Sequence, residues 1–254
     1  MPQYNNSIES AGKILSLFTL VRPKWGTTEV SRELGISKTT TFNILVTLVK
    51  IGFLSKDEES QKYELGRRIA SLGANMVANS ELNQKAAGLL QELSTSFGLS
   101  TRLGIWDSDA VIIIFSGFPL MVPQHPSYQA GPRVVAYSSA IGRAILSRMA
   151  KDEVIHYLDQ TKRVKFTSKT KVKKAEILKE LNETRKRGYS ICDGEMVYGS
   201  AAVGVPVFGR NQQIAGAITF AGSKDQILGS QMKPLIGGLS LKAMQISQSM
   251  GAPT

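Results

Sequence analysis

The spacing of apolar residues changes twice along the chain. Near the amino end, Ile8, Ala11, Leu15, Phe18 and Val21 recur at three- and four-residue steps, which predicts an amphipathic helix. Ser7 suits its N-cap, and Pro23 and Gly26 end it. A shorter helix follows from Thr27 to Leu34, with Val30 and Leu34 inward and Thr27 or Thr28 as cap. Gly35 makes a tight turn, and Ser37 opens a third helix that runs to about Lys50. Thr41, Ile44, Leu45 and Leu48 share one stripe of it. Two short arms, Phe53-Leu54 and Tyr63 to Leu65, then flank the charged tip Asp57-Glu58-Glu59, as in a β-hairpin. Helical spacing returns from Arg67 to Asn79 through Ile69, Leu72, Met76 and Val77.

From Glu81 onward the pattern is mixed. A helix over Leu82 to Phe97 stops at Gly98. Strand-type runs follow at Ser100–Trp106, Ala110–Ser116, Tyr189–Cys192, Ala201–Phe208 and Ile214–Phe220. The clusters Asp107-Ser108-Asp109 and Gly209-Arg210-Asn211 read as hairpin turns. Helices are expected at about Ser139–Met149, Lys151–Asp159, Lys173–Arg187 and Gly229–Met250. Hairpins with helices beside them predict an α+β domain with a mainly antiparallel sheet, not a doubly wound parallel one. The division expected is a winged helix-turn-helix over residues 1–66, a linker helix over 67–80 and a second domain over 81–250.

The order helix, turn, helix, wing points to nucleic acid, because such a module sets its second helix in the major groove. The outward face of that helix carries Lys38, Thr39, Thr40, Phe42, Asn43 and Thr47. Hydroxyls and amides there can reach phosphates and base edges, and an aromatic ring can touch a thymine methyl. Thr27 and Thr28 open the preceding helix, and Lys56 and Lys62 flank the wing tip, so these four join the candidate DNA contacts. The competing reading buries Phe42 against the second helix.

Charge alone does not carry that reading. The 254-residue chain has a net charge of +11, yet residues 1–80 hold ten Lys and Arg against seven Asp and Glu. Residues 162–187 hold eleven against three. A solvated loop and helix face is the simpler account of that run, and a second anion contact the sharper one. Hydrophobic residues make up 42% and charged residues 20%, which fits a soluble protein with a core. The apolar stretch Ala110 to Phe115 is far short of the ~20 residues that span a bilayer. The start carries no basic-then-apolar signal pattern, and the single cysteine, Cys192, rules out an intrachain disulfide. A cytoplasmic protein is expected.

The motifs SIESAGKILSLF, ELGISKTTTFNILVTL and GFL…YELG, followed by SSAIGRAILSRM, TRKRGYSICDGEMVYG, AAVGVPVF and AGAITFAG, resemble in order and spacing the IclR-type transcriptional regulators over Ser7 to Met250. The resemblance implies a winged helix-turn-helix, a linker helix and a GAF-like effector domain. It also implies a homodimer or homotetramer on double-stranded operator DNA. Asn43 stands where relatives usually carry arginine, which removes a guanidinium fork and offers an adenine-reading amide instead. The implied effector site lies at Val134, Val135, Ala140, Ile141, Cys192, Asp193, Ser200, Ala202, Thr219 and Ala221, and takes a small organic acid. Apolar walls at Ile141, Ala202 and Ala221 favour a larger, partly apolar acid, with an aromatic acid among the candidates. The open N–H groups of a helix start at Ala140 would suit its carboxylate.

No cofactor, metal or catalytic residue is expected. His125 and His156 have no ligand-spaced partner, and Cys192 has no basic neighbour in sequence to favour its thiolate. Asp193 and Glu195, two apart on a strand, would point the same way as a solvated or rim pair. Two other functional classes remain open: an enzyme with a regulatory winged helix acting on the same small molecule, and a winged helix that binds protein.

Overall fold

The computed structural model describes residues 5–119 and 132–253. His125 lies outside them. The chain forms two compact units, residues 1–77 and 78–254.

In the first unit, helices α1 (Asn6–Ser16), α2 (Thr27–Leu34) and α3 (Lys38–Lys50) precede a two-stranded wing, β1 (Leu54–Lys56) and β2 (Tyr63–Leu65), and helix α4 (Arg67–Ala78). α1 is shorter than its apolar stripe suggested. Asn5, not Ser7, caps it, accepting from the Ser7 and Ile8 backbone N–H groups. The helix stops before Phe18. That ring still packs inward, on Ile14 and Trp25, but Val21 is 95% exposed and Ile8 lies on the surface. An apolar repeat thus outran the helix, because Phe18 reaches the core from the loop.

α2 is capped at Gly26 rather than by a threonine, with the Glu29 carboxylate accepting from the Gly26 N–H at 2.6 Å. It ends at Gly35, whose φ of +64° is the left-handed geometry that a β-carbon disfavours. The Ser37 hydroxyl then caps α3 by accepting from the Thr40 N–H. Thr41, Leu45 and Leu48 of α3 join Ile14, Val30, Trp25, Leu54 and Tyr63 inside the unit.

The second unit opens with α5 (Glu81–Phe97), capped by Ser80 and ended at Gly98. A six-stranded, wholly antiparallel sheet follows in the order β5-β4-β3-β8-β7-β6. Its strands are β3 (Ser100–Asp107), β4 (Ala110–Gly117), β5 (Arg133–Val134), β6 (Ser190–Asp193), β7 (Ser200–Phe208) and β8 (Ile214–Ser223). The short β5 was not anticipated; two residues carry no alternation to read. α5 and α10 (Met232–Ser249) cover one face, where Phe97 meets Phe220 edge to face. α6 (Ala140–Leu146), α7 (Lys151–Gln160) and α8 (Lys174–Arg187) build the core on the other, around Tyr137, Ile141, Ile145, Tyr157 and Ile177. A short helix, α9 (Lys224–Leu228), joins β8 to α10. The α+β expectation with a mainly antiparallel sheet holds.

Candidate functional sites on a helix face and a sheet face

On α3 the inward stripe leaves a continuous outward face. Phe42 is 49% exposed and Val46 45%, and Lys38, Thr39, Thr40, Asn43 and Thr47 are exposed around them. The reading that buries Phe42 is therefore overturned: Thr41, one residue earlier, takes the inward place. Not every hydroxyl on this face is available as a donor. Thr47 donates to the Asn43 carbonyl at 2.7 Å, and the Thr40 and Ser37 hydroxyls share a hydrogen bond at 2.8 Å. Lys38, Thr39 and Asn43 make no side-chain hydrogen bond among the described residues. Thr28 is exposed and Thr27 half-buried at the start of α2.

The wing is tied back by ion pairs. Lys62 reaches Glu29 at 3.3 Å, and Lys24 reaches Asp57 at 2.6 Å. Asp57 also accepts from the Ser60 N–H and hydroxyl. The acidic tip thus fastens its own turn, and the Lys24 ammonium with the Ser60 donors holds the Asp57 carboxyl well below the usual range. Of the two wing lysines, Lys56 is exposed and Lys62 half-buried.

In the second unit, Ala140, Ile141, Cys192 and Thr219 are buried, while Val134, Val135, Asp193, Ser200, Ala202 and Ala221 are half-buried. The register aligns Cys192 with Ala202 and Ala202 with Ala221, and sets Thr219 beside Gly204. The Cys192 thiol donates to the Ser138 carbonyl at 3.1 Å, which holds the segment leading into α6 against β6. A β-carbon on Gly204 would fall 2.9 Å from the Ala140 carbonyl oxygen and 3.0 Å from Thr219, so α6 seats directly on the sheet there. Val134 and Val135 pack with the core beside Ile141. Ser200 instead turns its hydroxyl into its own loop, donating to Val197 O. Burial pushes the Cys192 thiol up against the lowering pull of Arg143, which suits an inert wall.

Asp193 and Glu195 part company. Asp193 sits at the rim between Lys169 and Lys224. Glu195 is buried and receives Arg143 through two 2.6 Å bonds, and the Lys171 ammonium and backbone N–H as well. Arg143, from α6, also donates to the Tyr137 and Ile191 carbonyls. The expected solvated or rim pair is thus corrected for one member: Asp193 is a rim residue, but Glu195 is half of a buried ion pair. The signal in the sequence was an arginine inside the apolar run of α6, where a charge needs a partner. No group of His, Cys, Asp and Glu among the described residues could hold a metal ion.

The description of the bacterial transcriptional regulator IclR C-terminal domain fits residues 74–248, and that of the IclR helix-turn-helix domain fits residues 7–58. The chain belongs to the IclR family. It is 27% identical over 247 residues to the HTH-type transcriptional regulator XynR of Escherichia coli, covering 97% of this chain and 98% of that protein. It is 26% identical to KdgR of the same organism, over 96% and 94% of the two chains. The crystal structure of an IclR-type regulator from Alicyclobacillus acidocaldarius superposes with a TM-score of 0.84 at 25% identity, over 98% of this chain and 100% of that one. A homologue from Microbacterium hydrocarbonoxydans, solved with 4-hydroxybenzoate, shares the fold at 16% identity and a TM-score of 0.75 over 97% and 99% of the chains. This IclR-family chain is a DNA-binding transcriptional regulator with a helix-turn-helix unit and an effector-binding unit. No helix of its described residues is long and apolar enough to cross a membrane.

Proposed function

We propose that this regulator reads its operator with the outward face of α3 and releases or grips it according to a small organic acid held on the α6 face of the sheet. Lys38, Thr39, Phe42 and Asn43 are the principal contacts, with Thr28, Thr40, Thr47 and Lys56 beside them. The observation that carries the reading is the half-exposed Phe42 among hydroxyls and an amide, over a stripe that is otherwise sealed. Lys62 contributes less than Lys56, because Glu29 already neutralises it. Residues 1–66 act as the reading head and 67–80 as the linker. The effector sits among Val134, Val135, Ala140, Ile141, Cys192, Asp193, Ala202, Thr219 and Ala221, with Ser200 at the margin. The homologue solved with 4-hydroxybenzoate makes an aromatic acid a natural first candidate.

The protein works in the cytoplasm as a homodimer or homotetramer, because half-sites roughly 34 Å apart require paired reading heads. It does not turn over its ligand: the Glu195 carboxylate is locked by Arg143 and burial disfavours the Cys192 thiolate. Fluorescence anisotropy on DNA from the protein's own promoter region tests this. Salt-sensitive, sequence-selective binding that Thr39→Ala with Asn43→Ala abolishes is the expected result. Indifference of every fragment to that double substitution would overturn it.

A further inference from the structure

We infer that the groove between the end of β7 and α10 is a second small-molecule site, separate from the effector site, and that it takes an organic acid with an apolar body, held by Arg148. Val205, Pro206 and Phe208 of its lining come from β7, Ala243 and Met244 from α10, and Pro253 from the chain end. Its volume is about 380 Å³, within the roughly 300–1,000 Å³ of small-molecule sites. Arg148 lies two residues beyond α6, whose first turn carries the proposed effector contacts Ala140 and Ile141. The two sites therefore stand at opposite ends of one helix.

The groove follows from the sequence of α10. Ser240, Ala243, Met244, Ser247 and Gln248 recur at three- and four-residue steps and so share one face of the helix. Three of the five are small, which leaves room beside β7. That room is held open by hydrogen bonds. The Ser247 hydroxyl accepts from the Phe208 N–H at 3.0 Å and donates to the Ala243 carbonyl at 2.6 Å, which fixes the helix to the strand end. The polar atom of Ser247 is thus spent, and the walls it joins are apolar. Met244 is half exposed at the mouth.

Arg148 gives the groove its sign. Its guanidinium lies 5.8 Å from the centroid of the Phe208 ring, so the cation and the aromatic wall meet at the groove. The side chain is half-buried, yet it forms no ion pair among the described residues. One N–H goes to the Arg185 carbonyl at 3.2 Å, and the buried Nε has no acceptor among the described residues. Its charged neighbour is another cation: burial and the Arg185 charge both push the Arg148 guanidinium down. Elsewhere in this unit such cations are paired, Arg143 with Glu195 and Arg187 with Glu180. Arg185 spends its donors on the Ser147 and Met149 carbonyls. A half-buried cation without a counter-charge is costly. A carboxylate supplied by a ligand would offset that cost, and the apolar walls beside it would take the rest of the molecule.

Methionine-methyl NMR on the full-length protein, with octanoate and octan-1-ol as probes, tests the inference. The Met244 methyl, assigned through Met244→Leu, is the reporter. Octanoate should shift it saturably and bind roughly tenfold more tightly than octan-1-ol, which has the same chain length and no charge. Arg148→Gln should bring octanoate down to the level of octan-1-ol, and Arg148→Lys should recover part of the difference. Gln248→Glu, at an exposed position in the lining, sets a carboxylate beside the ligand's own and leaves Arg148 in place. It should weaken octanoate and spare octan-1-ol. A Met244 methyl that octanoate leaves unmoved overturns the inference. So does equal binding of the two probes by the unaltered protein, or an octanoate affinity indifferent to Gln248→Glu.

Discussion

At the residue scale the Arg143–Glu195 pair joins three segments that are remote in sequence. Arg143 lies on α6, Glu195 follows β6, and Lys171 belongs to the loop before α8. Two threonines finish the arrangement: Thr170 donates to the Glu195 carbonyl and Thr167 to the Gly194 carbonyl. Removing one partner leaves the other charge buried, so Glu195→Ala should cost about 3–5 kcal/mol in urea unfolding at pH 7. The pair also sets an acid limit. Burial pushes the Glu195 carboxyl up, but the Arg143 hydrogen bonds and charge, with Lys171, outweigh it and hold it below the usual range. A carboxyl depressed in the folded state contributes stability that is complete above its unfolded value of about 4.3 and lost as the pH falls through the folded one. Glu195→Gln should therefore unfold more readily than the parent at pH 7, and the gap should narrow below pH 4. A gap that stays constant with pH would mean that the charge of Glu195 contributes nothing.

At the element scale, α3 divides cleanly into a face that stabilises and a face that is free to do something else. Phe42→Ala should therefore change the unfolding free energy by no more than about 1 kcal/mol, since the ring is half in solvent. Operator affinity should fall much further, and Asn43→Ala should cost about 1–3 kcal/mol and relax the sequence preference at one base pair. If Phe42→Ala melts the protein and leaves DNA binding intact, the ring is a packing residue and the outward face is not the reading face. The elements most legible in the sequence were those with both period and punctuation: α2 and α3 around Gly35, α5 up to Gly98, and the β3–β4 hairpin at Ser108. Where one signal was missing, the reading slipped. The stripe of α1 ran on to Val21 because Phe18 is apolar for a loop's reasons. The site was legible only as far as family motifs reach. The rows that β3, β8, β7 and β6 form across the sheet went unseen because they are set by register, which one strand does not reveal.

At the scale of the whole molecule, the net charge of +11 remains, but much of the basic run is engaged within the protomer. In the basic run over residues 162–187, Lys169, Lys171, Lys174 and Arg187 are held by Asp193, Glu195, Asp159 and Glu180. Arg163 and Arg185 are spent on backbone carbonyls. These pairings are compatible with the simpler reading of that run, a solvated loop and helix face. Apolar surface is a different matter. α4 buries none of its residues within the protomer, yet Ile69, Leu72 and Met76 recur along one stripe of it, and Leu72 and Met76 are each about half exposed. Burying such side chains against a second copy is worth roughly 1.5–3 kcal/mol each, so the stripe alone gives a pair of chains a substantial reason to associate. Such association would multiply DNA affinity, because the second reading head would bind at a high effective concentration once the first is seated. Leu72→Glu with Met76→Glu should shift the sedimentation coefficient towards that of a monomer at micromolar protein. It should also weaken operator binding at least a hundredfold, while the melting temperature of the first unit barely moves. The order of these effects discriminates: a species of unchanged mass that has lost its operator would place α4 at the DNA, whereas a monomer that still bound as tightly would show that pairing is irrelevant to reading.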